Sequence, residues 1–358
     1  MIYPLKKVSG GIDRIFEVPL VFLENAQNAQ ICELALFPNW FRPVYTRCPG
    51  VKDRFEELFK QFKKIRKSKQ RFLIDKYRSS KNLLSICSNR SALYPELDQI
   101  DPIIQQPLTN LFNYLYEQTL DTAIFRTNSG MSIHDHYGAF FKANEVHVCP
   151  FCGMETYTFP EFRRAEYDHY LPISKFPWLG VNLNNLIPMG DHCNGKKNDV
   201  NILYSDYTAK TRREVWYPYN WFSYTMNLKC LEKPSIIEKN GKWQVSLKAS
   251  DHLNQNKVDT WNSVFKIELQ YSQAINTFHK RFIEDLAQKN NLYGHRLTLA
   301  ALKLELQKYR DLRIGDPRIE TMAKAKFIWA NYYFNAKDSE LALITNTLAY
   351  LKPRRRPN

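Results

Sequence analysis

Between Cys149 and Asp199 the chain gathers side chains from which hydrolytic chemistry can be built. Asp168 and His169 are adjacent, Asn185 follows 17 residues after Asp168, Asn194 comes 9 later in a Cys-Asn pair, and Lys197 stands 3 further on. Carboxylate and amide oxygens are hard donors. They suit a cation such as Mg²⁺ or Mn²⁺, which one or two protein oxygens can hold while water and phosphate fill its other positions. An imidazole with a pKa of about 6.5 can accept a proton from water at neutral pH. These are the requirements of phosphodiester hydrolysis, in which a cation stabilises charge on the phosphoryl and leaving oxygens while a base activates water. On that reading Asp168 and Asn194 hold the metal and His169 is the general base. Neighbouring side chains of an extended segment point to opposite faces, so both can address one phosphate only if the backbone is irregular there; Pro172 favours a loop.

The string CPFCG at Cys149 and the run YDHYLPISKFPWLGVNLNNLIPMGDHCNGKKND from Tyr167, taken in order, resemble the HNH endonuclease family over about 50 of the 358 residues. The resemblance implies a ββα-metal fold and a divalent ion presented with one histidine to a scissile phosphodiester of DNA. It also implies Asn185, which precedes Leu186-Ile187-Pro188, as the residue that holds the histidine loop, with Asn194 as a metal ligand. Lys197 would then sit on the family's short helix in contact with substrate phosphate. Many members hold a structural Zn²⁺ with two CxxC pairs. Here the first pair is Cys149 and Cys152, but the position three before Cys193 is Gly190. Three cysteines remain, with His192, His147 or Asp191 as the fourth ligand, or with no zinc and the loop held by packing. The longer wording FPWLGVNLNNLIPMG resembles bacterial HNH effectors of phage-defence systems, including the nuclease subunit of Septu-type systems, which implies an ATPase partner. Restriction, repair and mobile-element nucleases are the other readings of that resemblance, and a zinc-ribbon-like nucleic-acid-binding module is the reading without catalysis. His134 and His136 have an HxH spacing that can chelate zinc on a strand, yet no nearby cysteine or carboxylate cluster completes it. They, with His147, His252, His279 and His295, read as surface or core residues.

The elements that must position these residues are mainly helical. At 358 residues the chain is long enough for two or three folded units. Apolar content of 44% with 24% charged residues excludes wholesale disorder. Lys and Arg number 51 against 36 Asp and Glu, a net +15 that favours polyanions such as duplex DNA. The start MIYPLKKVSGG has no apolar stretch behind it, and no run approaches the ~18 apolar residues of a membrane span, so a soluble, cytoplasmic protein without a membrane partner is expected. The isolated Cys32, Cys48, Cys87 and Cys230 point to reduced thiols.

The expected class is α+β, mainly helical, with a central ββα-metal module flanked by helical regions and a short β-hairpin. Texture divides the chain into a basic, mainly helical domain over 1–125, the nuclease module over 126–205, a hairpin-containing connector over 206–256 and a helical domain over 257–358. In the first, Phe55, Leu58, Phe59, Phe62 and Ile65 predict one helix from Arg54 to about Tyr77. Between Lys52 and Lys81 there are 12 Lys or Arg against 4 Asp or Glu, and Lys60, Lys63, Lys64, Lys67 and Arg71 form a candidate phosphate-tracking surface. Asn240-Gly241 followed by alternating Trp243, Val245 and Leu247 predicts a hairpin over Pro234 to Leu247 with a type I′ turn. One long helix is expected from Val258 and another over Ile319 to Leu351. A basic tail, Lys352 and Arg354 to Arg356, closes the chain.

Overall fold

Apolar residues at three- and four-residue spacing put most of the chain into helices, and the sheets are small antiparallel pairs. The computed structural model describes residues 2–91, 94, 96–145, 147–157, 167–206, 208–232, 242–292, 298–311 and 321–349. Two compact units result: one holds residues 3–151 and 157–221, the other residues 152–156 and 222 onward together with residue 2. The first unit therefore contains both the basic helical segment and the strand that carries Asp168, with Asn185 just ahead of that strand's partner.

In the first unit the rings of Phe22, Phe37, Phe41 and Phe55 form a buried aromatic cluster, with Phe55 meeting Phe22 at 4.8 Å and Phe37 at 4.9 Å edge-on. The single helix expected over 54–77 is two helices, Pro49–Phe62 and Lys67–Ser79. The break has a physical cause. Gln70 is buried and donates to the carbonyls of Phe62 at 2.8 Å and Ile65 at 3.1 Å, satisfying acceptors that a continuous helix would have bonded to its own amides. Pro49 opens the first of the pair at a position where a missing N–H costs nothing.

The helix Ile133–Asn144 begins at a reciprocal capping box between Ser132 and Asp135. It turns His134 outward and His136 inward, so the two rings do not share a face and the HxH spacing makes no chelate. His136 instead joins Nδ1 to the Tyr167 hydroxyl at 2.8 Å. Tyr116 donates to the Tyr167 carbonyl oxygen at 3.1 Å. These contacts fix the strand Tyr167–His169, which pairs antiparallel with Leu186–Pro188 and sets Asp168 opposite Ile187 and His169 opposite Leu186. The helix Asp191–Lys197 follows at once, giving a strand, strand, helix order.

In the second unit the strands Tyr224–Glu232 and Lys242–Ala249 form an antiparallel hairpin whose first arm lies upstream of the expected Pro234 start; the Asn240-Gly241 turn lies outside the described residues. Trp243, Val245, Leu247 and Ala249 alternate inward as the pattern implies. The outward amides of that strand are covered by side chains. Trp243, Val245 and Leu247 donate to Asn276 at 2.9 Å, Ser272 at 2.9 Å and Glu268 at 2.7 Å, and Ala249 donates to Gln255 at 2.8 Å. Four helical residues rise about 6 Å and two strand residues about 6.6 Å, so three acceptors spaced by four match three amides spaced by two. An edge that could pair with another chain is thereby closed.

The long helix expected from Val258 is interrupted at Lys266, whose φ of 54° is left-handed, and becomes His252–Phe265 and Ile267–Leu292. Asn262 and Glu268 exchange two hydrogen bonds of 2.9 Å across that corner. The expected helix over 319–351 likewise divides into Ala323–Phe334 and Asp338–Ala349. Of the aromatics expected in this core, Trp261, Phe265 and Trp329 are buried and Phe278 is half-buried. The basic tail lies outside the described residues. No described helix is long and apolar enough to cross a membrane.

Candidate active site

His169 is 8% exposed, with Nε2 3.1 Å from the Gly180 carbonyl oxygen and the ring edge-on to Tyr116 at 4.5 Å between centroids. A carbonyl can only accept, so Nε2 carries the proton and Nδ1 keeps its lone pair. Burial pushes the imidazole down to about 4, with the Gly180 carbonyl opposing that shift and the Lys197 ammonium adding to it. The ring is neutral at pH 7 and Nδ1 can accept a proton. Tyr116 belongs to a single π-helical turn, Leu115–Thr119, of the kind that aims a side chain out of helical register.

Asn185 holds the loop that follows. It is fully buried, its Oδ1 accepts from Leu171 N at 2.8 Å, and its Nδ2 donates to Leu171 O at 2.9 Å and to Leu179 O at 3.4 Å. Its own carbonyl accepts from Tyr170 N at 2.8 Å. One amide thus ties the segment leaving His169 to the segment that brings Gly180 beneath the imidazole. The neighbouring Asn182 performs a different task, donating to Ser80 O at 3.0 Å and accepting from Asn184 N at 3.1 Å.

Asp168 faces Lys197. The ammonium stands 2.9 Å from Oδ2, and the lysine side chain is 1% exposed against 13% for the carboxylate. Oδ2 is enclosed against that ammonium, and the carboxylate also takes a hydrogen bond from the His169 backbone amide. Burial raises the carboxyl above its usual range, Lys197 pulls it back down, and the Asp199 carboxylate pushes it up again. Lys197 also donates to Asn198 O at 3.2 Å. The sequence places this lysine on substrate phosphate; in the folded chain its ammonium is on Asp168. Asn194, three positions earlier on the same helix, shares that helix face. It is half-exposed, and its amide has no partner among the described residues.

Cys149, Cys152 and Cys193 are buried with their sulfurs within 4.8 Å of one another. Gly190 N donates to Cys149 Sγ and Met154 N to Cys152 Sγ, each at 3.4 Å, and such donors favour thiolates. Among the described residues the group is these three sulfurs, and His147, Asp191 and His192 are not members of it. This set could hold a soft or borderline cation such as Zn²⁺.

The basic residues of the first unit do not form one row. Lys63 donates to the carbonyls of Ala26 at 3.2 Å, Gln27 at 3.2 Å and Ala29 at 2.7 Å, and Lys67 also reaches Gln27 O, so both sit at the C-terminal end of the helix Glu17–Ala26. Lys64 bonds Gln61 at 3.0 Å, while Lys60 and Arg71 are exposed.

Tyr116, Gly180 and Asp199 were not singled out by sequence reasoning. Gly180 was within reach of it, because a ring nitrogen fixed by a backbone carbonyl is a common way to set a histidine tautomer. Tyr116 lies far upstream and nothing in its neighbourhood marks it. Compared with protein-family models, curated proteins and solved structures, the chain matches none of them.

Proposed function

We propose that the chain is a metal-dependent HNH-type endonuclease that hydrolyses phosphodiester bonds of duplex DNA, with His169 as general base and Asp168 and Asn194 as ligands of Mg²⁺ or Mn²⁺. The observation that carries this reading is the Asn185 clamp, which fixes the loop beside a histidine whose Nε2 is already committed to Gly180 and whose Nδ1 keeps its lone pair. A histidine that only fills a core is normally satisfied at both ring nitrogens, as His136 is, whereas Nδ1 of His169 has no partner among the described residues.

The donor set fits a hard cation. Asp168 Oδ2 is an enclosed oxygen facing the Lys197 ammonium, and the Asn194 amide lies on the helix face that Lys197 turns toward it. An ion held there by two protein oxygens would stabilise charge on the phosphoryl and leaving oxygens. The remaining work belongs to the chain itself. His169 takes the proton of the attacking water at Nδ1, and the Gly180 carbonyl supports the imidazolium that forms. A base held near about 4 is weak at neutral pH, and the negative phosphate of the substrate acts in the same direction as Gly180 to strengthen it. Tyr116 packs against the ring and limits its rotation. The net charge of +15 supplies the attraction to a polyanion.

Supercoiled plasmid incubated with the protein and Mg²⁺ or Mn²⁺ tests the proposal. Nicking that stops on chelation is expected; DNA binding without nicking in either metal contradicts it and favours the non-catalytic module.

A further inference from the structure

We infer that Lys197 is an exchangeable counter-ion of Asp168, holding the carboxylate until a divalent cation takes it and then turning to the substrate phosphate. The inference rests on the metal-dependent reading of this site and adds to it a means of coupling metal entry to nucleic acid.

Lysine is almost never fully buried unless paired, yet Lys197 is 1% exposed. Its ammonium carries three donors, and among the described residues they meet Asp168 Oδ2 at 2.9 Å and the Asn198 carbonyl at 3.2 Å. The full charge that pairs with it is the residue proposed as metal ligand. Asp168 in turn keeps Oδ2 enclosed against that ammonium, while the His169 backbone amide also bonds the carboxylate. An ammonium and a divalent cation cannot both sit against one carboxylate oxygen in a water-poor site, because their mutual repulsion is as little screened as their attraction to the acid. Entry of one requires departure of the other.

Departure is mechanically easy. Lys197 is the last residue of its helix, and its four-carbon stem can move the charged head without moving the backbone. The freed ammonium remains on the face shared with Asn194, where a phosphate brought to the metal would meet it. Metal and nucleic acid should therefore help each other bind, by equal factors in both directions.

Calorimetric Mn²⁺ titration of the wild-type chain and of Lys197→Met, without nucleic acid, is the test. Removing the competing charge should tighten Mn²⁺ binding by about 10- to 100-fold, about 1.4 kcal/mol for each factor of ten. In a His169→Ala background, which should cleave at least about 10²-fold more slowly, a duplex oligonucleotide should tighten Mn²⁺ binding to the lysine-bearing protein and have little effect on Lys197→Met. Equal or weaker Mn²⁺ affinity in Lys197→Met, beside a wild type that binds Mn²⁺ and nicks plasmid, overturns the counter-ion role and leaves the nuclease reading standing. A wild type that neither binds Mn²⁺ nor nicks overturns both. If Lys197→Met does not fold, reductive methylation of the wild-type chain read by mass spectrometry decides the matter. Lys197 should be protected without Mn²⁺ and modified at saturating Mn²⁺, and equal protection in the two states overturns the inference.

Discussion

Asn185 commits its whole amide to backbone groups that have no access to water, since Leu171 and Leu179 are buried like itself. Asn185→Ala would leave the Leu171 N–H and C=O without partners, and an unsatisfied buried group costs about 1–3 kcal/mol. The variant should lose about 2 kcal/mol or more of stability in thermal or urea unfolding and nick DNA more slowly, because Gly180 would no longer be held under the imidazole. An unchanged melting temperature would contradict the clamp. The Asp168-His169 pair and Asn185 were legible in the chain because the contacts that give them meaning close within a short loop, between His169 and Leu186. The partner of Lys197 was not legible. A lysine late in a short helix reads as solvated or phosphate-facing, and only the packing of that helix shows its ammonium turned inward to Asp168. Tyr116 escaped for a related reason, as its role depends on a π-turn that no local composition announces.

Helices and strands were legible wherever one apolar face persisted, and boundaries failed wherever a polar side chain cut the ladder. Gln70 ends one helix and Asn262 with Glu268 turns another, and none of the three stands beside a Gly or Pro that would mark the break in the sequence. The basic pair Pro49–Phe62 and Lys67–Ser79 then separates two kinds of lysine. Lys63 satisfies the last carbonyls of Glu17–Ala26, where a cation is favourable by about 0.3–1 kcal/mol. Lys63→Ala should lower the melting temperature, whereas Lys60→Glu with Arg71→Glu should leave it nearly unchanged. If Lys60 and Arg71 track DNA, the double substitution should flatten the log–log salt dependence of affinity by about 0.9 for each phosphate no longer neutralised. An unaltered slope would move that face away from DNA. In the second unit His279 is fully buried among Trp243, Trp329 and Tyr333, and neither ring nitrogen has a partner among the described residues. Burial pushes it down to about 4, below the unfolded value of about 6.5. As pH falls the unfolded chain takes the proton first, so this contribution is full above pH about 6.5 and is lost progressively toward pH about 4. His279→Phe should shrink the loss of stability between pH 7 and pH 5, measured by urea unfolding at the two values. The same loss in both proteins would show that His279 does not carry it.

On the scale of the molecule, two units divide at about residue 221, and the strand, turn and helix that carry Asp168, Asn185 and Lys197 belong to the first, with its basic helices. A strand pair of three residues each has too little apolar area to stand alone, and the module is backed by the helix Ile133–Asn144 through His136 and Tyr167. A metal held by the three-cysteine group would be a further staple. Metal analysis of the purified chain should find about one zinc, which Cys193→Ser should release; a zinc retained by Cys149→Ser with Cys152→Ser would place it elsewhere. Net charge, helical content and the order of the motif residues were all readable before folding, because each is a property of the chain as a string. The most direct test of the account compares wild-type and His169→Ala protein in single-turnover cleavage of supercoiled plasmid at saturating Mn²⁺, with circular dichroism and DNA affinity measured alongside. The expected result is a rate lower by about 10²-fold or more at unchanged fold and affinity, the usual scale of a lost general base. Wild-type turnover by a folded His169→Ala protein would contradict the assignment of His169 as the base.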